Sequence, residues 1–518
     1  MNTTMKKCMS ILLAGIMTVL CLIGCGAGNG IKTSGDKTTI LVKYWLAGLG
    51  TEWLDNVIEG FEEKYPQYEV RVESSSAQKS ITSAFGYEDI DEADLYLCTK
   101  NYNADGNLVP LDDVLETTIE GESKTIGDKF YDSYLALEQS ADGHYYNLTY
   151  GGGYVGIYYN KEMFEDAGVS QPPRTTDELV LVCDALSAND QKAFCHFKPV
   201  GYWEDYMGPV FFAQYDGLDY VLNKFYGCVD EEGKSPSLDV FTKEDGRYEA
   251  IKVMSQVCTP EYTMTGSNSY DHTTVQTMWL QGEAAMMVNG TWTISEMGAV
   301  EGIENISMMK TPVVSTIVDK LTTIKTDKQL RTVISAIDKV TDGDAAESEY
   351  KQGDKYVVGD LTVSEADWNY IRAARNTMAL NATGNSAYIP NYSDNIEGAK
   401  EFLKYLYSDE GYTIYANSLK QTLPFSLDSG ELDISDWSEL AQRQAKLFAS
   451  TEQFVSMYNA GSHPIFYAGG ARWKSYHTTY CNRFSSTNVK DRLTAAEAWA
   501  DTVQYQKENY ESWLANIK

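Results

Sequence analysis

Hydrophobic positions along this chain alternate between a strand-like and a helix-like period. Ile40-Leu41-Val42-Lys43-Tyr44-Trp45 is rich in β-formers and leads through glycines into a stretch where Leu54, Ile58, Phe61 and Tyr65 recur at spacings of four, three and four. That spacing predicts one apolar helix face. Val70-Arg71-Val72 then alternates as a strand does, and Ala93-Asp94-Leu95-Tyr96-Leu97-Cys98 predicts another strand. Strand, helix, strand, helix and strand in succession predict a parallel sheet with right-handed crossovers. Further on, Thr175-Thr176-Asp177-Glu178 reads as a capping box: Thr175 accepts from the third helical amide and Glu178 reaches back, so a helix starts near Thr176. Leu493, Trp499, Val503, Tyr510, Trp513 and Ile517 fall at near-helical intervals and predict a C-terminal amphipathic helix packed on the body. Between 313 and 367 the pattern changes. Lys, Thr, Asp and Glu become frequent, 326–338 is helix-like, and the acidic run 342–349 predicts a solvated loop on an excursion from one lobe.

The first residues follow another pattern. Lys6 and Lys7 precede an almost unbroken apolar run over 9–23, the layout of a secretory signal peptide. The run is shorter than the about 20 residues that cross a bilayer, with a plain spanning anchor as the competing reading. It ends in Leu22-Ile23-Gly24-Cys25, which resembles the lipobox of bacterial lipoproteins. The resemblance implies removal of 1–24 and diacylation of Cys25 as the new N-terminus. Residues 25–37, with Gly26, Gly28, Gly30 and Gly35, then suit a flexible linker. The expected location is the extracytoplasmic face of a bacterial cell membrane, held by lipid alone.

A chain of 518 residues suffices for two lobes. Its formal charge of -32 argues against nucleic acid, which demands a basic footprint, and against an electrostatic membrane-binding face. Cys98, Cys183, Cys195, Cys228, Cys258 and Cys481 show neither a C-x-x-C pair nor a zinc spacing. Exported chains form disulfides, but spacing selects no pairing among six cysteines. The 37 tyrosines and 10 tryptophans suit cores, a sugar-stacking groove, or both.

Several motifs fail on their context. Gly151-Gly152-Gly153-Tyr154-Val155-Gly156 satisfies G-x-G-x-x-G, but a strand-like Ile157-Tyr158-Tyr159-Asn160 follows where a dinucleotide fingerprint opens a helix. The stretch 227–235 has five residues between its glycines where a P-loop has four, carries Asp230, Glu231 and Glu232, and runs into Pro236. The loop 101–106 approaches an EF-hand but begins on Asn101 and ends on Asp112, so a polar turn is expected and no metal. Five histidines occur singly, with neither G-x-S-x-G nor H-E-x-x-H, and no cofactor motif is present.

The segment Tyr158-Tyr159-Asn160-Lys161-Glu162-Met163-Phe164-Glu165-Asp166-Ala167-Gly168, followed by Pro172-Pro173-Arg174-Thr175, resembles family 1 extracellular solute-binding proteins, the ABC-importer receptors that include maltose-binding protein. Further blocks in the expected order carry the resemblance. They are Trp279-Leu280-Gln281-Gly282-Glu283-Ala284-Ala285-Met286-Met287-Val288-Asn289-Gly290-Thr291-Trp292, Tyr388-Ile389-Pro390-Asn391-Tyr392-Ser393, Glu397-Gly398-Ala399-Lys400-Glu401-Phe402-Leu403 and Ser408-Asp409-Glu410-Gly411. The resemblance implies a two-lobed α/β fold of the periplasmic-binding-protein type, each lobe a sheet flanked by helices, with a hinge crossed more than once. It places lobe one at 38–149 and 311–416, including the excursion 313–367, and lobe two at 150–310 and 417–518. It implies a monomeric, non-enzymatic receptor that binds a mono- or oligosaccharide between the lobes and delivers it to ABC permease subunits. The alternatives are a peptide or polyamine cargo on the same fold, or a surface carbohydrate-active enzyme.

Sugar recognition needs flat apolar faces for pyranose C–H groups and polar partners for hydroxyls, and tryptophan supplies the largest face with one donor. Trp45 ends the first strand, where the carboxyl ends of parallel strands meet ligands. By resemblance, Trp292 stands where the family stacks on sugar, Trp473 falls near another stacking position, and Trp203 lies in a cleft-lining segment; core packing is the alternative for each. Glu52, Thr99, Asn101 and Asp205 are the expected hydroxyl partners, with solvated charge or polarity as the alternative. Gly151, Gly152 and Gly153 are expected at the crossing between lobes, permitting close backbone approach and hinge freedom. An acidic ligand group common near this crossing in the family is replaced by Gly153.

Overall fold

The computed structural model describes residues 33–517 except 35–36, 47, 102–105, 152, 198–200, 382–383, 457–458 and 468–474. Cys25, Gly152 and Trp473 therefore lie outside the described residues.

The first sheet grows from the patterned N-terminal half. Lys37–Trp45 pairs in parallel with Tyr68–Ser75 on one edge and Leu95–Cys98 on the other. Ser386–Tyr388 joins Leu95–Cys98 antiparallel, and Leu148–Thr149 joins Ser386–Tyr388 antiparallel. The connecting helix Glu52–Lys64 buries Trp53, Leu54, Val57 and Phe61, while Ile58 is half-buried. Trp53 shifts the buried face from the predicted stripe: its indole N–H reaches the Tyr44 hydroxyl at 2.9 Å and its ring stacks on Tyr150.

The second sheet is built around Tyr154–Asn160. Met286–Gly290 lies antiparallel on one edge; Thr377–Leu380 and Ile306–Met308 lie antiparallel on the other; Gln453–Val455 follows in parallel beside Thr377–Leu380. The predicted helix near Thr176 spans Thr176–Ala188, and the Thr175 hydroxyl accepts from the Glu178 amide at 3.3 Å. The Glu178 carboxylate caps one residue earlier than a capping box requires, accepting from the Arg174 amide at 2.8 Å. The C-terminal helix Ala495–Ala515 starts at a true capping box of Thr494 and Glu497 and buries Trp499, Tyr510 and Trp513 in the second lobe.

The assignment of 311–416 to lobe one needs correction over its first part. Thr377–Leu380 is a strand of the second sheet, and the excursion packs there too. Its helix Asp327–Thr341 buries Leu330, Val333, Ile334 and Ile337, and Glu365–Arg375 buries Trp368 and Ile371 in the core that holds Val155 and Ile157. A three-stranded sheet of Lys351–Gln352, Lys355–Val358 and Leu361–Ser364 lies between these helices, with Tyr356 stacked on Trp368 at 4.2 Å. Arg375 fastens the unit: Nε and Nη2 each donate to the Asp338 carboxylate at 2.9 Å, and Nη1 donates to the Thr311 carbonyl. The acidic run 342–349 is largely exposed, as its composition predicts.

The chain passes between the sheets at 149–154 and again at 380–386. A third passage follows Ser426, whose amide donates to the Lys129 carbonyl in the first lobe. It ends before Glu439–Ala449, where Gln444 donates to the Tyr158 hydroxyl of the second sheet. The start of the expected 417–518 segment thus remains with lobe one.

Candidate ligand-binding cleft

The first two passages run side by side. The Tyr150 amide donates to the Asn385 carbonyl at 3.1 Å and the Asn381 amide to the Gly153 carbonyl at 2.5 Å. Side chains crowd this seam: a Cβ on Gly151 would collide with the Asn385 Cβ at 2.5 Å, and one on Gly153 would press on the Asn381 Cβ at 3.1 Å. Gly151 and Gly153 thus lie between the sheets and let the two passages touch.

Above this seam opens a cleft of about 360 Å³, within the size range of small-ligand pockets. Trp45, Leu49 and Ser76 line it from the first lobe, and Tyr202, Trp292 and Glu296 from the second. Asn381, Asn385 and Gln421 contribute polar groups from the passages. Trp45 is held by its own N–H, which donates to the Ser76 carbonyl at 3.1 Å. Trp292 caps the helix Thr293–Met297; its ring lies against Gly290, where a Cβ would collide with it, and Tyr202 packs edge-on at 6.0 Å. One face of the indole is thereby backed by protein.

Glu296 accepts from Gln276 Nε2 at 3.0 Å, and His272 lies 3.7 Å from the same carboxylate oxygen. Burial holds the His272 imidazole below its ordinary pKa against the pull of Glu296. Asn385 matters most. Its residue is 7% exposed and its side-chain oxygen is buried with no hydrogen-bond partner among the described residues. An unpaired buried acceptor is costly in a closed protein, and the residue that carries it lines the cleft.

Of the tryptophans named from sequence, Trp45 and Trp292 meet at this cleft. Trp203 does not join them: it is 2% exposed and packs edge-on against Phe194 at 5.1 Å. The reason is local geometry. The stretch Trp203–Met207 is a wide helical turn that buries Trp203, Glu204, Asp205 and Met207, whereas Tyr202, just before it, is half-buried and lines the cleft. Asp205 is buried, its amide bonded to the Gly201 carbonyl at 2.7 Å. Glu52 is exposed at a helix start outside the cleft lining. The Thr99 hydroxyl accepts from Gln78 at 2.6 Å, and the Asn101 amide donates to the Asn147 side chain at 3.1 Å; neither lines the cleft. The sequence reading missed Tyr202, His272, Glu296, Asn381, Asn385 and Gln421. Asn381 and Asn385 had a signal, since Asn381 directly follows an apolar strand-like run and both fall between that run and the block at Tyr388. Among the described residues no group of three or more His, Cys, Asp and Glu side chains could hold a metal, and no helix is long and apolar enough to cross a membrane.

The sequence pattern described as bacterial extracellular solute-binding protein matches residues 47–413. The chain belongs to this family. This solute-binding protein is 28% identical over 156 residues to the maltotriose-binding protein of Pyrococcus abyssi, covering 30% of the chain and 29% of that relative. It is 26% identical over 179 residues to a putative binding protein of Brucella abortus, covering 35% of the chain and 38% of that relative. These matches thus span well under half the length of the curated relatives. Solved structures cover far more. The bacterial solute receptor AcbH, described with an exclusive preference for β-D-galactopyranose, superposes with a TM-score of 0.59 at 12% identity, covering 92% of the chain and 99% of AcbH. RafE in complex with raffinose gives 0.54 at 14% identity, with 91% and 100% covered. A probable secreted solute-binding lipoprotein of Streptomyces coelicolor gives 0.56 at 13%, with 91% and 98% covered. At such identities the likeness is one of fold, and the solute-binding protein shares their two-lobed α/β architecture.

Proposed function

We propose that this protein is the lipid-anchored extracytoplasmic receptor of an ABC importer and that it captures a carbohydrate in the cleft between its lobes. The observation that carries the reading is the meeting of Trp45 and Trp292, from opposite lobes, in a cleft that Asn385 also lines, its side-chain oxygen unpaired among the described residues. Two indoles supply the flat apolar faces that pyranose C–H groups require, and Asn385, Asn381 and Gln421 supply hydroxyl partners. Closure of the lobes about the Gly151–Gly153 seam buries the sugar and creates the shape that permease subunits recognise. The sugar-binding solved structures that share the fold support a carbohydrate as cargo. Cys25 supplies the anchor.

Isothermal titration calorimetry against a panel of mono- and oligosaccharides tests the cargo. Saturable heat with at least one sugar is expected; heat with a peptide or polyamine and with no sugar refutes the carbohydrate reading. Product analysis after prolonged incubation with glycans tests the binding role, and turnover refutes it. Fatty-acid labelling tests the anchor: label on the wild type and none on Cys25→Ser is expected.

A further inference from the structure

Behind Tyr202, two thiols from distant parts of the chain face one another. Cys258 closes the helix Gly246–Val257, and Cys481 lies in the short helix Tyr480–Phe484. They are 223 positions apart in sequence, yet their Sγ atoms are 3.0 Å apart. Both residues are buried. A thiol is a weak donor and sulfur a weak acceptor, so thiol–thiol attraction does not account for so close an approach. Cys98, Cys195 and Cys228 behave differently, turning their sulfurs toward the Thr99 hydroxyl, the Met286 carbonyl and the Ser237 carbonyl. The backbone around Cys481 is also fixed: its amide donates to the buried Glu204 carboxylate at 2.8 Å.

We propose that Cys258 and Cys481 are joined by a disulfide in the exported protein. Disulfides persist in the oxidising surroundings of extracellular proteins, and this family is extracellular. The reaction is thiol–disulfide exchange with a disulfide-bearing oxidant, either a small-molecule disulfide or an oxidoreductase. The Sγ–Sγ bond of the protein forms, that of the oxidant breaks, and the two protons and two electrons given up by Cys258 and Cys481 convert the oxidant to two thiols. Burial pushes both thiols above the ordinary cysteine pKa, so the attacking thiolate forms before this corner of the lobe closes. The bond ties the end of Gly246–Val257 to the segment that braces Glu204, and so holds the wide turn that presents Tyr202 to the cleft.

The test uses the full chain exported from a bacterial host, alkylated during lysis and digested without reduction for mass spectrometry. A cross-linked peptide pair containing Cys258 and Cys481, lighter by two hydrogen atoms than the separate peptides, is expected. Alkylation of both residues overturns the proposal, as does a link from either to another cysteine such as Cys183. A second measurement counts thiols in denaturant. Cys258→Ser should titrate one thiol more than the wild type although it has one cysteine fewer, because Cys481 loses its partner; one thiol fewer overturns the proposal.

Discussion

Replacing Trp292 by alanine separates recognition from folding. The residue is half-buried, its ring lies against Gly290 and nearly perpendicular to that of Tyr202, and it lines the cleft. An aromatic side chain buries about 200 Å², so one face offers about 100 Å². At about 25 cal/mol per Å² that face contributes about 2.5 kcal/mol to binding, which is an affinity loss of about 60-fold on truncation. Trp203→Ala is the control, because Trp203 is 2% exposed and wholly inside the second lobe. Removing it costs about 3–5 kcal/mol of stability. Calorimetry with the best sugar from the panel, paired with urea unfolding, measures both quantities on both variants. Trp292→Ala should lose affinity while keeping most of its stability, and Trp203→Ala should lose stability. A Trp292→Ala protein that binds as tightly as the wild type refutes the stacking argument.

Other perturbations follow from the same geometry. Asn385→Ala removes the unpaired acceptor, and the loss of one hydrogen bond of about 1 kcal/mol should weaken sugar binding about fivefold by calorimetry. Gly290→Ala drives a Cβ into the Trp292 ring; overpacking of this kind costs about 1–3 kcal/mol, and lower affinity with Trp292 itself unchanged is the expected result. Asp338→Ala leaves Arg375 without its two-pronged partner in a buried position and should cost about 3–5 kcal/mol in urea unfolding, because the excursion is part of the second-lobe core. Burial pushes the Glu204 carboxyl from 4.5 up to about 7, against the Cys481 amide bond that favours its charge. With the folded pKa above the unfolded one, this group's stabilisation is complete below pH 4.5 and is lost as pH rises through about 7, a change of about 3 kcal/mol. Urea midpoints of the wild type and Glu204→Gln, compared at pH 5 and pH 8, should show the steeper decline in the wild type; parallel declines would show that Glu204 is not held neutral.

Sequence periodicity determined the elements whose causes are local. The strands at 37–45, 68–75 and 95–98, the helix after Thr175 and the C-terminal helix follow from side-chain spacing and caps within a few residues. The ordered blocks likewise carried the family and its two-lobed fold. Tertiary structure alone decided what depends on pairing between distant segments. Thr377–Leu380 has the same apolar character whichever sheet it joins, and its hydrogen bonds to 154–155 assign it, with the excursion before it, to the second lobe. Which of two adjacent aromatics enters the cleft was equally invisible, because Tyr202 and Trp203 differ only in direction around a wide helical turn. The glycines at 151 and 153 marked a crossing in the sequence, but only the folded chain showed Asn385 pressed against Gly151 with an oxygen left unpaired. Six scattered cysteines offered no pairing from spacing, since spacing along a chain says nothing of distance once 223 residues have folded back to bring two sulfurs together.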